Sequence, residues 1–192
     1  MYEIADDTYC YPGTSVLINK IGTRRQDVLD QFEMEMTSQR ATEAMPPGKL
    51  DYAHYCAIHH HLFQDVYNWA GKPRSVRISK GGNPFCFPEN IDAQARKLFA
   101  ELARKDYLRE LESAEFAKEA AHFLAELNAI HPFREGNGRA QLSFLALLAE
   151  SAKHPLDAEK IDPERVMEAM IASFHGEEGA LAETIAGLIE VA

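Results

Sequence analysis

Residues 131–139 read His-Pro-Phe-Arg-Glu-Gly-Asn-Gly-Arg, and most positions in that run have a chemical use. His131 can accept a proton. Glu135 offers hard carboxylate oxygens. The Gly136-Asn137-Gly138 turn lets backbone N–H groups approach an anion, and Arg139 adds a planar cationic fork. Ile130 ends an apolar periodic stretch, and Gly138-Arg139 opens another. The run therefore reads as a loop between two helices, with glycines and the N–H groups of a helix start making an anion site. A polar loop that only joins two helices has no need of this combination.

Carried further, the same residues describe a phosphate-transfer site. The glycine turn and helix start cradle a polyphosphate, and Arg139 forks a further phosphate. Glu135 suits Mg²⁺ bridging two phosphates, and His131 takes the proton of an incoming hydroxyl. Pro132 and Phe133 fix the loop, with Phe133 packed inward.

Outward from this loop, the chain supplies an all-α frame. Thr23 is the expected N-cap of a first helix carrying Val28, Leu29, Phe32 and Met36 inward. Asp51 caps a second, with Tyr55, Ile58, Leu62, Phe63 and Val66 on one face, ending at Trp69-Ala70-Gly71. This helix carries His59-His60-His61. Consecutive helical residues point about 100° apart and cannot chelate one metal together. His59, on the face of Tyr55 and Phe63, is expected to be buried, with the other two solvated. The strand signal is confined to 75–87, where Ser75–Ser79 and Phe85–Phe87 flank a Lys80-Gly81-Gly82-Asn83 turn. Asn90, Ser113 and Asp162-Pro163 start further helices, and Leu181, Ile185, Leu188 and Ile189 form a last one. The expected architecture is an all-α bundle of about seven or eight helices with one β-hairpin. A single domain is expected over 1–192, with an N-terminal arm and helix over 1–50 and a core over 51–192. In the arm, Val16, Leu17 and Ile21 are expected to tack the chain to the body.

Composition excludes several classes. The 192 residues include 46% hydrophobic residues, enough for one core. A net charge of −10 is the wrong sign for sustained nucleic-acid binding, though a local nest can still hold a nucleotide. Cys10, Cys56 and Cys86 form an odd, widely spaced set, which points to a reducing compartment rather than a disulfide framework. No apolar run reaches about 18 residues, so no membrane span is expected. Met1 to Asp7 carries acids and lacks an apolar signal core, so a cytoplasmic location is the expectation, with signal-less secretion open.

The run His131–Arg139 resembles the signature of the Fic (Fic/Doc, Fido) family: His, Pro, Phe, any residue, Asp or Glu, Gly, Asn, Gly, Arg. Asp65-Val66-Tyr67-x-Trp69-Ala70-Gly71 and the hairpin after it are similar to the same family, so the likeness covers most of the chain from Asp51 onward. The resemblance implies transfer of AMP from ATP to a Ser, Thr or Tyr hydroxyl of a target protein. On it His131 is the general base, and Glu135 holds Mg²⁺ between the α- and β-phosphates. Gly136, Asn137 and Gly138 form the anion hole, with Asn137 near the α-phosphate, and Arg139 anchors the outer phosphates. The hairpin becomes the flap over 75–87. Lys80, Gly81 and Gly82 line the approach to the phosphate, and Ser79, Lys80, Gly81, Gly82 and Asn83 dock an extended target chain along an open strand edge. The γ-phosphate-transferring Doc branch has a lysine in the Gly-Asn-Gly region, which is lacking here.

Two departures bear on that picture. Many family members carry a second Arg three residues after the first, where this chain has Leu142, which weakens the expectation for the γ-phosphate and for the nucleotide used. Members are also commonly restrained by a Ser/Thr-x-x-x-Glu-Gly/Asn helix. The nearest match, Ser173 to Glu177, is followed by Glu178 and holds a helix breaker. The resemblance then implies a toxin whose inhibitor is a separate small helical antitoxin. The competing expectations are transfer of a different phosphate-containing group, and a non-catalytic binding module.

Overall fold

In the computed structural model, which describes residues 7–80 and 82–190, α4 (Ser113–Ile130) is the axis of the molecule. Its sequence is rich in Ala, Phe and Leu on nearly every face, and Phe116, Ala117, Ala120, Ala121, Phe123, Leu124 and Leu127 are all buried. A helix apolar nearly all round must be enclosed by others, and α4 touches α3 (Pro88–Arg104), α5 (Asn137–Ser151), α6 (Pro163–Phe174) and α7 (Gly179–Leu188). On the far side of α5, α2 (Tyr52–Phe63) packs against it and against α1 (Gln26–Ala41). Seven α-helices and two short 3₁₀ turns, 106–108 and 158–160, thus make up the helical body among the described residues.

One contiguous cluster of buried residues runs from Val16 to Ile189. Aromatic rings fill its centre. Tyr55 lies 5.3 Å from Phe133 and 5.7 Å from Phe99, and Phe99 lies 5.2 Å from Phe144 between ring centroids. Phe133 of the 131–139 run is therefore part of the core, fully buried as its sequence position led one to expect. The loop hangs from the core by this ring.

Several boundaries follow local hydrogen bonding rather than periodicity. Thr23 is not a helix cap. Its hydroxyl accepts from the Arg25 N–H at 3.2 Å, and the helix starts three residues later at Gln26. Asp51 does cap α2, accepting from the His54 N–H at 2.8 Å. That helix stops at Phe63, not at Trp69-Ala70-Gly71, because Val66 and Tyr67 both turn back to the Phe63 carbonyl and the Gly71 N–H is captured by His59. Asn90 is not a cap either, since Pro88, with its φ preset for a helix, opens α3. The Asp162-Pro163 start is as read, with Asp162 accepting from the N–H groups of Glu164 and Arg165. In the arm, Val16 and Leu17 are buried, but Ile21 is 46% exposed and does not tack it down.

The hairpin is shorter than its alternation suggested. Only β1 (Ser79–Lys80) and β2 (Asn83–Pro84) pair, antiparallel, with Ser79 opposite Pro84 and Lys80 opposite Asn83. The reason is Arg74, 2% exposed, whose guanidinium takes the carbonyls of Val76 at 2.7 Å and Cys86 at 2.6 Å. The Cys86 N–H in turn donates to Ala129 of α4. Backbone groups that would have extended the ladder are tied to an arginine and a helix instead. Gly81 lies outside the described residues.

Candidate active site

The α4 helix ends on His131, whose φ of +48° and ψ of 64° place it in the left-handed region. For a non-glycine residue that costs about 1–2 kcal/mol, so something must hold it. The His131 N–H donates to Leu127, and Arg74 donates from Nε to the His131 carbonyl at 2.9 Å and from its backbone N–H to Pro132. The left-handed turn swings the imidazole off the helix axis. There it stacks on Phe85 at 4.0 Å, and its Nδ1 lies 3.2 Å from the Asn128 carbonyl. A carbonyl only accepts, so Nδ1 carries the hydrogen and Nε2 is the basic nitrogen. Burial, with smaller contributions from the positive charges of Arg74 and Lys80, pushes the His131 pKa down to about 3 despite the Asn128 bond. The ring is thus neutral near pH 7, the form that accepts a proton.

Beyond His131 the loop is braced on three sides. Asn137 closes it from within: its Oδ1 accepts from the Phe133 N–H at 2.9 Å and its Nδ2 donates to the Phe133 carbonyl at 2.8 Å. Both ends of its amide are thus tied to the Phe133 backbone, which fixes the direction of the side chain. The Asn137 backbone N–H lies at the start of α5 and can meet a phosphate. His59 braces the loop from α2, accepting at Nδ1 from the Gly71 N–H and donating from Nε2 to the Glu135 carbonyl, each at 2.9 Å. It is fully buried, as expected, and sandwiched between Phe133 at 3.7 Å and Phe63 at 4.7 Å. Arg134, the unspecified position of the signature, reaches the arm. Its Nε and terminal nitrogen contact Asp7 Oδ2 at 3.0 and 2.7 Å.

Each glycine has a separate reason. Gly136 has φ +81°, and a Cβ there would sit 2.2 Å from Phe63 Cζ, so any side chain is excluded by core packing. A Cβ on Gly138 would meet nothing within 4 Å. The space beside Gly138 is open, and the N–H groups of Asn137, Gly138 and Arg139 in the first turn of α5 have no intrahelical partners. Arg139 donates to Glu33 Oε1 at 2.5 Å and Thr37 Oγ1 at 3.2 Å, with its guanidinium 4.6 Å from the Phe63 ring centre.

A cavity of about 980 Å³ gathers these groups. His131, Glu135, Gly136, Asn137, Gly138 and Arg139 all line it, together with Lys80 and Asn83 of the hairpin. Ser79 and Gly82 are not among its lining residues. The cavity extends between α5, α6 and α7 into an apolar end that includes Leu142, Met170 and Ile185. Glu135 fits the metal expectation. One of its oxygens accepts from the Gly136 N–H, and its side chain, about one-third exposed, faces the cavity. Mg²⁺ needs only one or two protein carboxylates when phosphates and water complete its shell. No cluster of three His, Cys, Asp or Glu suited to a metal exists among the described residues, so a cation held here would depend on the nucleotide.

Sequence reasoning missed Arg74, Asp7 and Glu33. Each lies between 57 and 127 residues from its partner in the loop or at its edge, and none sits in a pattern that announces the contact. No helix among the described residues is long and apolar enough to cross a membrane.

This geometry has known counterparts. The Fic/DOC family model matches residues 49–149. The chain is 53% identical over 189 residues to the probable protein adenylyltransferase y4lH of Sinorhizobium fredii, covering 98% of each. It is 37% identical over 176 residues to the probable protein adenylyltransferase Fic of Escherichia coli K12, covering 91% of this chain and 88% of that one. The crystal structure of the effector BepC from Bartonella tribocorum with bound AMPPNP superposes with a TM-score of 0.85 at 28% identity, covering 96% and 97%. A family match across half the chain, close relatives along nearly all of it and a shared tertiary structure lead to one conclusion: this chain belongs to the Fic/DOC family.

Proposed function

We propose that this chain, acting as a single Fic domain, is a protein adenylyltransferase that moves AMP from ATP to a Ser, Thr or Tyr hydroxyl of a target protein. The observation that carries the reading is the pairing of a neutral, Nε2-basic His131 with the N-terminus of α5 in one cavity. Relatives along nearly the whole chain bear the same activity in their names.

In the proposed reaction the triphosphate lies along the first turn of α5, with its oxygens on the N–H groups of Asn137 and Gly138. Arg139 anchors the outer phosphates. His131 Nε2 takes the proton of the target hydroxyl as its oxygen forms a bond to the α-phosphorus. The α–β bridging bond breaks and pyrophosphate leaves with the electron pair. Glu135 would hold Mg²⁺, which would supply charge neutralisation for the triphosphate. Positioning and charge neutralisation supply most of the acceleration in such transfers. Lys80 and Asn83 line the same cavity as the cradle, which supports a target segment docking along the hairpin residues Ser79, Lys80, Gly82 and Asn83. The two-residue ladder of the hairpin supports main-chain pairing with such a segment.

The nearest match to the family's inhibitory helix in this sequence, Ser173 to Glu177, departs from it at Glu178, and we propose a small helical antitoxin as the regulator. The apolar end of the cavity, with Leu142 in place of a second arginine, supports an apolar helix face there. The three free cysteines support action in a reducing cytoplasm.

The experiment is transfer to lysate proteins with Mg²⁺ and ATP labelled at the α- or the γ-phosphate, beside a His131→Ala control. A protein band labelled from the α-position and lost in the control is expected. A γ-labelled band would replace this reading with a kinase-type transfer.

A further inference from the structure

Arg139 is not left to find its own direction. Glu33 Oε1 takes one terminal N–H at 2.5 Å, Thr37 Oγ1 takes another at 3.2 Å, and the Phe63 ring lies under the plane at 4.6 Å. Two of these contacts come from α1 and one from α2, so the guanidinium is fixed in both in-plane direction and tilt. The Arg139 side chain is 40% exposed, and Arg139 lines the cavity beside the cradle.

Glu33 is itself held. Its side chain is 14% exposed, and its second oxygen accepts from the Tyr67 hydroxyl. Tyr67 is 2% exposed, and its ring stacks on Trp69 at 4.3 Å. Burial, then the Glu33 charge, raises the Tyr67 hydroxyl far above its ordinary range, so it stays protonated and donates. A mostly covered acid with two charge-assisted hydrogen bonds, one to Arg139 and one to Tyr67, holds what it bonds. It also lies outside residues 49–149, the part matched by the family model.

We propose that Glu33 is a positioning residue, which fixes the Arg139 guanidinium toward the cradle from a helix outside the family core. This rests on the reading that Arg139 anchors outer phosphates. An arginine has five N–H donors, and the two spent on Glu33 and Thr37 leave others for a phosphate. Preorganisation removes the entropic cost of ordering a long side chain when the nucleotide arrives. The carboxylate also offsets some positive charge, which acts in the opposite direction. The proposal states that orientation wins.

The test is calorimetric titration of the full chain with a non-hydrolysable ATP analogue and Mg²⁺, for wild type, R139A, E33A, E33Q and Y67F. R139A should weaken binding, and if it binds like wild type the phosphate-anchor reading falls and the proposal falls with it. Given that loss, E33A should weaken binding about tenfold. E33Q, whose amide oxygen still accepts from Arg139, should recover to within about threefold of wild type. Y67F, which loosens Glu33 without touching Arg139, should shift binding the same way by a smaller factor, and it reports even if E33A folds poorly. In steady state E33A should raise the nucleotide KM with kcat nearly unchanged. Unchanged or tighter binding by E33A or Y67F, with R139A weakened, would overturn the proposal while leaving the anchor role standing.

Discussion

His59 Nε2 donates to the Glu135 carbonyl across 76 residues of chain, and through that bond the second helix holds the loop that carries the reactive groups. The ring is fully buried between Phe133 and Phe63, and its other nitrogen accepts from Gly71. A single histidine thus fixes the turn after α2 and the middle of the signature. Replacing it with alanine leaves a cavity and orphans the Gly71 N–H and the Glu135 carbonyl. The His59→Ala variant should lose about 3 kcal/mol, which lowers the melting temperature by roughly 6–12 °C in a chain of this size. A melting curve within about 2 °C of wild type would contradict that role.

The two signature glycines should fail differently. At Gly136 a methyl would sit 2.2 Å from Phe63 Cζ on a backbone with φ +81°, so Gly136→Ala should unfold or strongly destabilise the chain. At Gly138 a methyl meets nothing within 4 Å of the protein. Gly138→Ala should melt at or above the wild-type temperature, since alanine favours a helix. Yet the methyl stands in the path of a phosphate, so transfer should drop by about 10²-fold. Melting and activity on the pair separate the two roles, and equal activity in Gly138→Ala would show that no ligand approaches there.

Arg134 is nearly buried and its carboxylate partner comes from the arm. Burial would raise the Asp7 carboxyl, but hydrogen bonding and charge from Arg134, with help from Cys10 and Tyr9, hold it below the usual range. Asp7→Ala leaves a guanidinium desolvated without its counter-charge. The expected loss is about 2–4 kcal/mol, at the lower side for a pair with some water access. Asp7→Asn should lose less, since it keeps an acceptor oxygen. Urea denaturation of both variants measures the difference, and equal stability of Asp7→Ala and wild type would remove the arm from the loop's support.

Acid should weaken the fold earlier than carboxylate protonation alone would. Burial is the main cause that lowers both His59 and His131 to about 3 from an ordinary value of 6.5. A group whose folded pKa is depressed takes up its proton first in the unfolded chain. Stability from the two rings is therefore complete above about pH 6.5 and is lost as the pH falls toward 3, by about 2 kcal/mol per histidine at pH 5. Urea midpoints at pH 7.5 and pH 5 test this, and a midpoint that does not fall on acidification would contradict the burial of both rings.

The chemical character of the 131–139 loop was legible because a histidine, a carboxylate, two glycines and an arginine sit within nine residues, and a loop between two helices makes neighbours in sequence neighbours in space. The burial of His59 and Phe133 was legible for a related reason. Helical spacing and an apolar position in the signature both declare a face. Periodicity overreached in the hairpin. It reads side-chain alternation, and it could not know that Arg74 would take the carbonyls of Val76 and Cys86.

By itself the sequence determined the helical class, the place of the loop between α4 and α5, and the kinds of atoms the loop offers. Only the tertiary structure decided how those atoms are held. Asp7, Glu33, His59 and Arg74 each brace the site from elsewhere in the chain, and the Asn137 amide ties the loop to itself at Phe133. The physical reason is that a side chain's local pattern records which face it turns inward, while its hydrogen-bond partner is set by packing between elements distant in sequence.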